Sequence, residues 1–185
     1  MIGARRIDTA EAAGAAQPAA ARITDVMAIA RILWAFQKEA DWLPRVRRPW
    51  TELRVLAWAV IHDRVRVLRR VDAVSADAKV EAFIMRRGDT VHALYTAASA
   101  RRAGFGRMLV NEAKTEVENL RLWVAQDNAE ARRFYAVMGF REVARSDGRG
   151  NDEGLPDILL IWSRAPSGIA RMESRERSIE RAGYE

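Results

Sequence analysis

The stretch Arg101-Arg102-Ala103-Gly104-Phe105-Gly106-Arg107 stands between an apolar run of strand character and a strongly helical one. Its composition describes a strand-to-helix turn that receives an anion. Two glycines at alternate positions let a ligand approach the backbone, and three arginines surround them. That chemistry suits a polyphosphate. Short Gly-x-Gly runs are commonly plain turns, so the flanking elements decide.

Downstream, Phe105, Met108, Leu109, Ala113 and Val117 recur at helical spacing, predicting a helix from Gly104 to about Asn119. Leu120 to Ala125 reads as a short buried strand. Asp127 or Asn128 caps a helix over Ala129 to Met138, which Gly139 ends as a left-handed residue. Phe140 to Arg145 is a strand, Ser146 to Pro156 a polar loop, and Ile158 to Ser163 a final apolar strand.

Upstream, Arg64 to Val71 alternates, with Val65 and Val67 on one side and arginines on the other, as a half-buried strand does. Asp72 to Ala78 is a turn of small residues, Lys79 to Arg86 a second strand, Arg87-Gly88-Asp89 a tight turn, and Thr90 to Thr96 a third strand. Before this meander come a short strand over Ala20 to Ile23 and a helix capped by Thr24 or Asp25, with Val26, Ile29, Ala30, Leu33 and Trp34 on one face. Asp41-Trp42-Leu43-Pro44 breaks it. A second helix starts at Pro49, with Leu53, Leu56, Ala57, Val60 and Ile61 at helical spacing. No internal repeat is present.

The 185 residues, 49% of them hydrophobic, suffice for one domain with a sizeable core. The expected organisation is an N-terminal arm over 1–20, one domain over 21–163 and a charged tail over 164–185. That tail reads as a disordered end or as a helix packing on a partner subunit in a homodimer. Without cysteine there is no disulfide framework, thiolate nucleophile or thiolate-bound metal. His62 and His92 lie too far apart to form a local metal motif, so no metal site is expected. No apolar run is long enough to span a bilayer, and the alanine-rich N-terminus lacks the hydrophobic core of a signal peptide, so a cytoplasmic protein without membrane contact is expected. The net charge of +6 gathers near Arg45–Arg48, Arg64–Arg70 and Arg101–Arg107, as readily matched to a phosphorylated cosubstrate as to DNA. No helix-turn-helix or stacking-aromatic pattern accompanies it, so nucleic acid is the minor reading.

This order of elements, with two motifs inside it, resembles the GNAT superfamily of acyl-CoA-dependent N-acetyltransferases. The first motif is Arg/Gln-x-x-Gly-x-Gly/Ala, present as Arg101 to Gly106. The second is Asn-x-x-Ala-x-x-Phe-Tyr-x-x-x-Gly-Phe, present as Asn128, Ala131, Phe134, Tyr135, Gly139 and Phe140. The resemblance covers about residues 20–163. It departs at Ala98, where relatives often carry Pro, and at Arg102, where they carry Gly. It implies an α+β fold in three layers: a mixed, mostly antiparallel central sheet flanked by helices, with splayed strands holding the cofactor.

The resemblance further implies acetyl-CoA as cosubstrate, with Arg101, Arg102, Ala103, Gly104, Phe105, Gly106 and Arg107 cradling its pyrophosphate. Leu94, Tyr95 and Thr96 would pair with its pantetheine arm as a strand does. Asn128 would hydrogen-bond the cosubstrate or serve as a plain N-cap. Tyr135 would act as general acid toward the departing thiolate or as a core aromatic. The arginines would meet phosphate or mark an exposed helix end. The general base is open. Some relatives carry Glu five residues before the motif Asn, where this chain has Trp123. Glu81 or His92 in the meander, Glu39 or Asp41 near the first helix, or a water chain would serve. Trp34, Trp42, Trp50 and Trp58 are expected mostly in the core, with Trp42-Leu43-Pro44 lining the acceptor site. The acceptor itself is a small-molecule or peptide amine. The alternative is a non-catalytic CoA-binding regulatory or interaction module.

Overall fold

The computed structural model describes residues 16–71, 78–165 and Met172. The expected arm up to residue 15, most of the turn after Val71 and nearly all of the tail lie outside these residues. In chain order the elements are β1 (Ala19–Ala20), α1 (Val26–Glu39), α2 (Pro49–Ile61), β2 (Val65–Val71), β3 (Ala78–Arg87), β4 (Thr90–Thr96), α3 (Phe105–Glu116), β5 (Asn119–Ala125), α4 (Ala129–Val137), β6 (Arg141–Ser146) and β7 (Asp157–Ser163). Short 3₁₀ turns at Ile23–Asp25 and Ala98–Ala100 precede α1 and follow β4. The seven strands run in the order β1-β2-β3-β4-β5-β7-β6, antiparallel in every described pairing except the parallel one of β4 with β5, which is in register at Thr90 and Arg121. Among the described residues, seven mixed strands with four helices make the α+β class expected from the sequence. No helix among the described residues is long and apolar enough to cross a membrane.

The chain falls into two compact units. The first comprises residues up to Glu39, Pro49–Met85 and Ala93–Leu109; the second comprises Ala40–Arg48, Arg86–His92 and the chain from Val110 onward. In the first, Val26, Ile29, Ala30 and Ile32 of α1, Leu56, Ala59 and Val60 of α2, and Val65, Val67, Val80 and Phe83 of the strands form one buried cluster. Val65 to Leu68 pair with β3 in unbroken register, so Leu68 is buried on the face opposite Val65 and Val67, and a bulge follows between Leu68 and Arg69. In the second, β7 is buried from Ile158 to Ile161 between its antiparallel neighbours β5 and β6.

Two expectations shift. The first strand lies at Ala19–Ala20, one residue early, and the chain then turns through Ile23–Asp25. Asp25 is not a forward N-cap: its carboxylate accepts the Arg22 amide at 2.6 Å and pairs with Arg69. The packed face of α2 keeps the expected Leu53, Leu56, Ala57 and Val60 but is rotated enough to add Glu52 and Ala59 and to lose Ile61. Glu52, Leu56, Ala59 and Val60 face inward, while Ile61 is 70% exposed. Trp50 and Trp58, expected in the core, are 53% and 48% exposed on the opposite face.

Candidate active site

In the first unit, the chain leaves β4 through the 3₁₀ turn and reverses at two left-handed residues, Arg102 (φ +63°) and Gly104 (φ +86°), before α3 begins at the buried Phe105. The need for glycine at 104 is conformational. A Cβ there would meet nothing within 4 Å, whereas the backbone angle is one that L side chains rarely adopt. The Met108 amide donates to the Gly104 carbonyl at 3.0 Å as the first helical bond. The amides of Phe105, Gly106 and Arg107 therefore have no acceptor within the helix, and the positive end of its dipole coincides with them.

The cations around this turn are not equivalent. Arg102 and Arg107 are exposed. Arg101 is held at 2.5 Å by the carboxylate of Glu39, at the end of α1. Arg70, which sequence reasoning noted only as part of a basic stretch, sits with its guanidinium 5.5 Å from the centroid of the Phe105 ring. Its buried Nε has no hydrogen-bond partner among the described residues. An orphaned cationic donor at the start of α3 suits an anion there.

Leu94, Tyr95 and Thr96 are half-buried in β4, with the Tyr95 ring between Phe36 (4.9 Å) and Phe83 (5.6 Å). Glu81, on β3, is one of two charged residues among the described ones that are buried, at 3% exposure. Its carboxylate accepts the Ser99 hydroxyl at 3.3 Å and lies 3.6 Å from Lys79 Nζ, while its backbone carbonyl accepts the Ala97 amide at 2.8 Å. Ser99 belongs to the 3₁₀ turn that leads into the anion turn, so one carboxylate is joined to it by side chain and backbone. The other buried charge, Glu52, accepts Trp34 Nε1–H at 2.6 Å and Gln37 Nε2–H at 2.7 Å. Nothing in the sequence marked it, because an acidic residue in a first helical turn is ordinary on dipole grounds alone.

In the second unit, Asn128 N-caps α4, its Oδ1 accepting the Ala131 amide at 3.0 Å. The capping reading is thus correct, and the side-chain amide N–H₂ is not used by the cap. Tyr135 is buried in α4, its ring packed edge-on against Phe134 (5.1 Å) and Phe140 (5.2 Å). Gly139 takes the left-handed C′ position (φ +81°). His92 and Asp41 are exposed, and the Trp123 indole is 48% exposed on β5. Lys114 donates to the Met138 carbonyl at 2.5 Å and lies over the Trp162 and Phe140 rings, and burial lowers its pKa.

The anion turn, Arg70, Glu81 and Leu94–Thr96 therefore belong to the first unit, and His92, Asn128 and Tyr135 to the second. Of the proposed bases, Glu81 alone combines burial with contacts to the segment that enters the anion turn.

Residues 63–142 match the family model described as acetyltransferase (GNAT) domain. Over 88 residues the chain is 34% identical to peptidyl-lysine N-acetyltransferase YjaB of Salmonella typhimurium, a match covering 48% of this chain and 59% of that protein, so the chain spans about three fifths of the relative's length. The fold is similar to the apo-form solution structure of YjaB from Escherichia coli, with TM-score 0.64 and 22% identity over 81% of this chain and 99% of that one. It is also similar to yncA from Salmonella typhimurium, a putative acetyltransferase solved with its cofactor acetyl-CoA, with TM-score 0.57 and 18% identity over 81% and 94% of the two chains.

Proposed function

We propose that this chain, whose residues 63–142 match a GNAT acetyltransferase domain model, is an acetyl-CoA-dependent N-acetyltransferase of the cytoplasm whose acceptor is a primary amine, a peptidyl lysine above all. The observation that carries this reading is the turn into α3: two left-handed residues, three amides without helical acceptors and an orphaned guanidinium nitrogen meet there. The amides, with Arg70, Arg102 and Arg107, receive the pyrophosphate by charge-assisted hydrogen bonds. Leu94 to Thr96 bind the pantetheine arm, and Asn128 donates its free amide N–H₂ to the cosubstrate.

Transfer from the thioester to an amine has two proton requirements. An alkyl ammonium, with a pKa of about 10.4, must become neutral before it attacks; a departing thiolate of pKa about 8.5 leaves more readily if protonated. Glu81 takes the first proton, supported by its burial and its link to Ser99. Tyr135 supplies the second; a buried phenol must satisfy its O–H, which keeps that proton aimed. The amine attacks the thioester directly, and a chain without cysteine offers no thiol for a covalent acyl-enzyme.

Calorimetry with acetyl-CoA, together with CoA release in the presence of a lysine-containing peptide, tests the proposal. Saturable binding and turnover are expected; no binding at millimolar acetyl-CoA overturns it. Tyr135→Phe should lower kcat roughly a hundredfold and leave acetyl-CoA affinity near that of the wild type. An unchanged kcat, with chemistry rate-limiting, makes Tyr135 a packing residue.

A further inference from the structure

Of the 31 basic residues in the chain, only Lys38, Lys79 and Lys114 are lysines, so it presents very few side-chain amines. Their surroundings differ. Lys114 is half-buried, its Nζ hydrogen-bonded to the Met138 carbonyl at 2.5 Å and 4.7 Å from the centroid of the Trp162 ring. Lys38 is exposed on α1, with no carboxylate at ion-pair distance among the described residues. Lys79 is both reachable and engaged. Its side chain is 60% exposed, and its Nζ lies 3.6 Å from Oε1 of Glu81, whose own side chain is 4% exposed. The two residues stand at alternate positions of β3 and so share one face of the strand. Among the described residues, Lys79 is thus the lysine whose ammonium stands beside a carboxylate, the one assigned as base.

We propose that Lys79 is a self-acetylation site of this protein, its amine made reactive by Glu81 as that of an external acceptor would be. The inference rests on the transferase reading above. Nζ gives up a proton to Glu81 and then attacks the carbonyl carbon of the thioester. The N–C bond forms, the C–S bond breaks, and the sulfur leaves with a proton as free CoA. The net products are Nε-acetyl-Lys79, CoA and the one proton released by the ammonium. Acetylation removes the cation beside Glu81 and leaves the Ser99 hydroxyl on the carboxylate, so the modified chain carries its base in a different electrostatic setting. The scarcity of other amines confines the modification to few positions.

The full chain is incubated with acetyl-CoA, both native and in denaturant, and acetylated positions are mapped by peptide mass spectrometry. CoA release to a lysine-containing peptide is followed in parallel. In the native chain Lys79 should be acetylated at least roughly tenfold faster than Lys38, the scale of modest general-base assistance, and the preference should vanish in denaturant. Lys79→Arg should abolish that modified peptide and leave modification at Lys38. Release to the peptide with Lys79 unmodified, or equal native rates at Lys38 and Lys79, overturns self-acetylation alone. No release and no modification at Lys79 overturns the transferase reading with it.

Discussion

Arg102 holds a left-handed backbone angle, φ +63°, in the turn that opens α3. A non-glycine residue in that region costs roughly 1–2 kcal/mol, while glycine there loses up to about 1 kcal/mol through its greater unfolded-state freedom. Arg102→Gly should therefore raise unliganded stability by roughly 0.5–1 kcal/mol, readable as a higher melting temperature, whereas Arg102→Ala retains the strain and should not. Both remove the charge. If Arg102 meets phosphate, both weaken acetyl-CoA binding about fivefold, a typical loss for an exposed charge-assisted contact of about 1 kcal/mol. Equal affinity in all three proteins would make the arginine a surface residue. The base is decided in the same way. Glu81→Gln should lower kcat roughly a hundredfold, while His92→Gln leaves it near wild type, since the histidine is exposed and the carboxylate buried. The reverse outcome would transfer the role to His92. The sequence named both residues because both sit on adjacent strands of the meander. Burial separated them, and burial depends on neighbours such as Ser99, eighteen positions away.

At the scale of elements, strand and helix identities followed from periodicity, and the errors have particular causes. Counting apolar spacing along α2 turned Ile61 inward together with Leu53, Leu56, Ala57 and Val60; those four do pack on the core, whereas Ile61 is 70% exposed. The helix instead turns Glu52 inward, because Trp34 and Gln37 of α1 both donate to its carboxylate. Burial of a carboxylate with two good donors outweighed burial of one isoleucine, and a hydrophobicity pattern has no means of expressing that. Trp50, Arg54 and Trp58 are carried to the opposite face by the same rotation, with Arg54 over the Trp50 ring and Arg64 over Trp58. The polar stretch between β6 and β7 likewise conceals a packed structure. Asn151 bonds the Leu155 backbone and Asp157, Ser146 bonds Asp157, and Gly148 folds against Leu155. A Cβ on Gly148 would stand 2.3 Å from the Leu155 carbonyl carbon at φ +84°. Gly148→Ala should cost about 2–4 kcal/mol, combining strain and overlap. Gly150→Ala is the control, since its Cβ meets nothing within 4 Å. Equal denaturation midpoints for the two variants would show that the loop rearranges at little cost.

At the scale of the whole molecule, the residues assigned to the cosubstrate are divided between the two compact units. The α3 turn, Arg70 and Leu94–Thr96 belong to one, and Asn128 and Tyr135 to the other. Both signature motifs were legible in the sequence, but a motif describes its own segment and says nothing of how the chain clusters around it. The division makes the assigned roles testable together, because a ligand raises the stability of the native state as a whole but suppresses local opening only in the segments it touches. At a hundred times its dissociation constant acetyl-CoA contributes about 2.7 kcal/mol, which for a chain of this size raises the melting temperature by roughly 5–10 °C. Hydrogen exchange resolves where that protection falls. If Asn128 and Tyr135 act as proposed, amides of α4 slow together with those at the start of α3. In Asn128→Ala, which also removes the cap on Ala131, the slowing in α4 should shrink while that in α3 persists. Protection confined to the first unit would mean that the anion turn binds the nucleotide and that Asn128 and Tyr135 serve only the packing of α4.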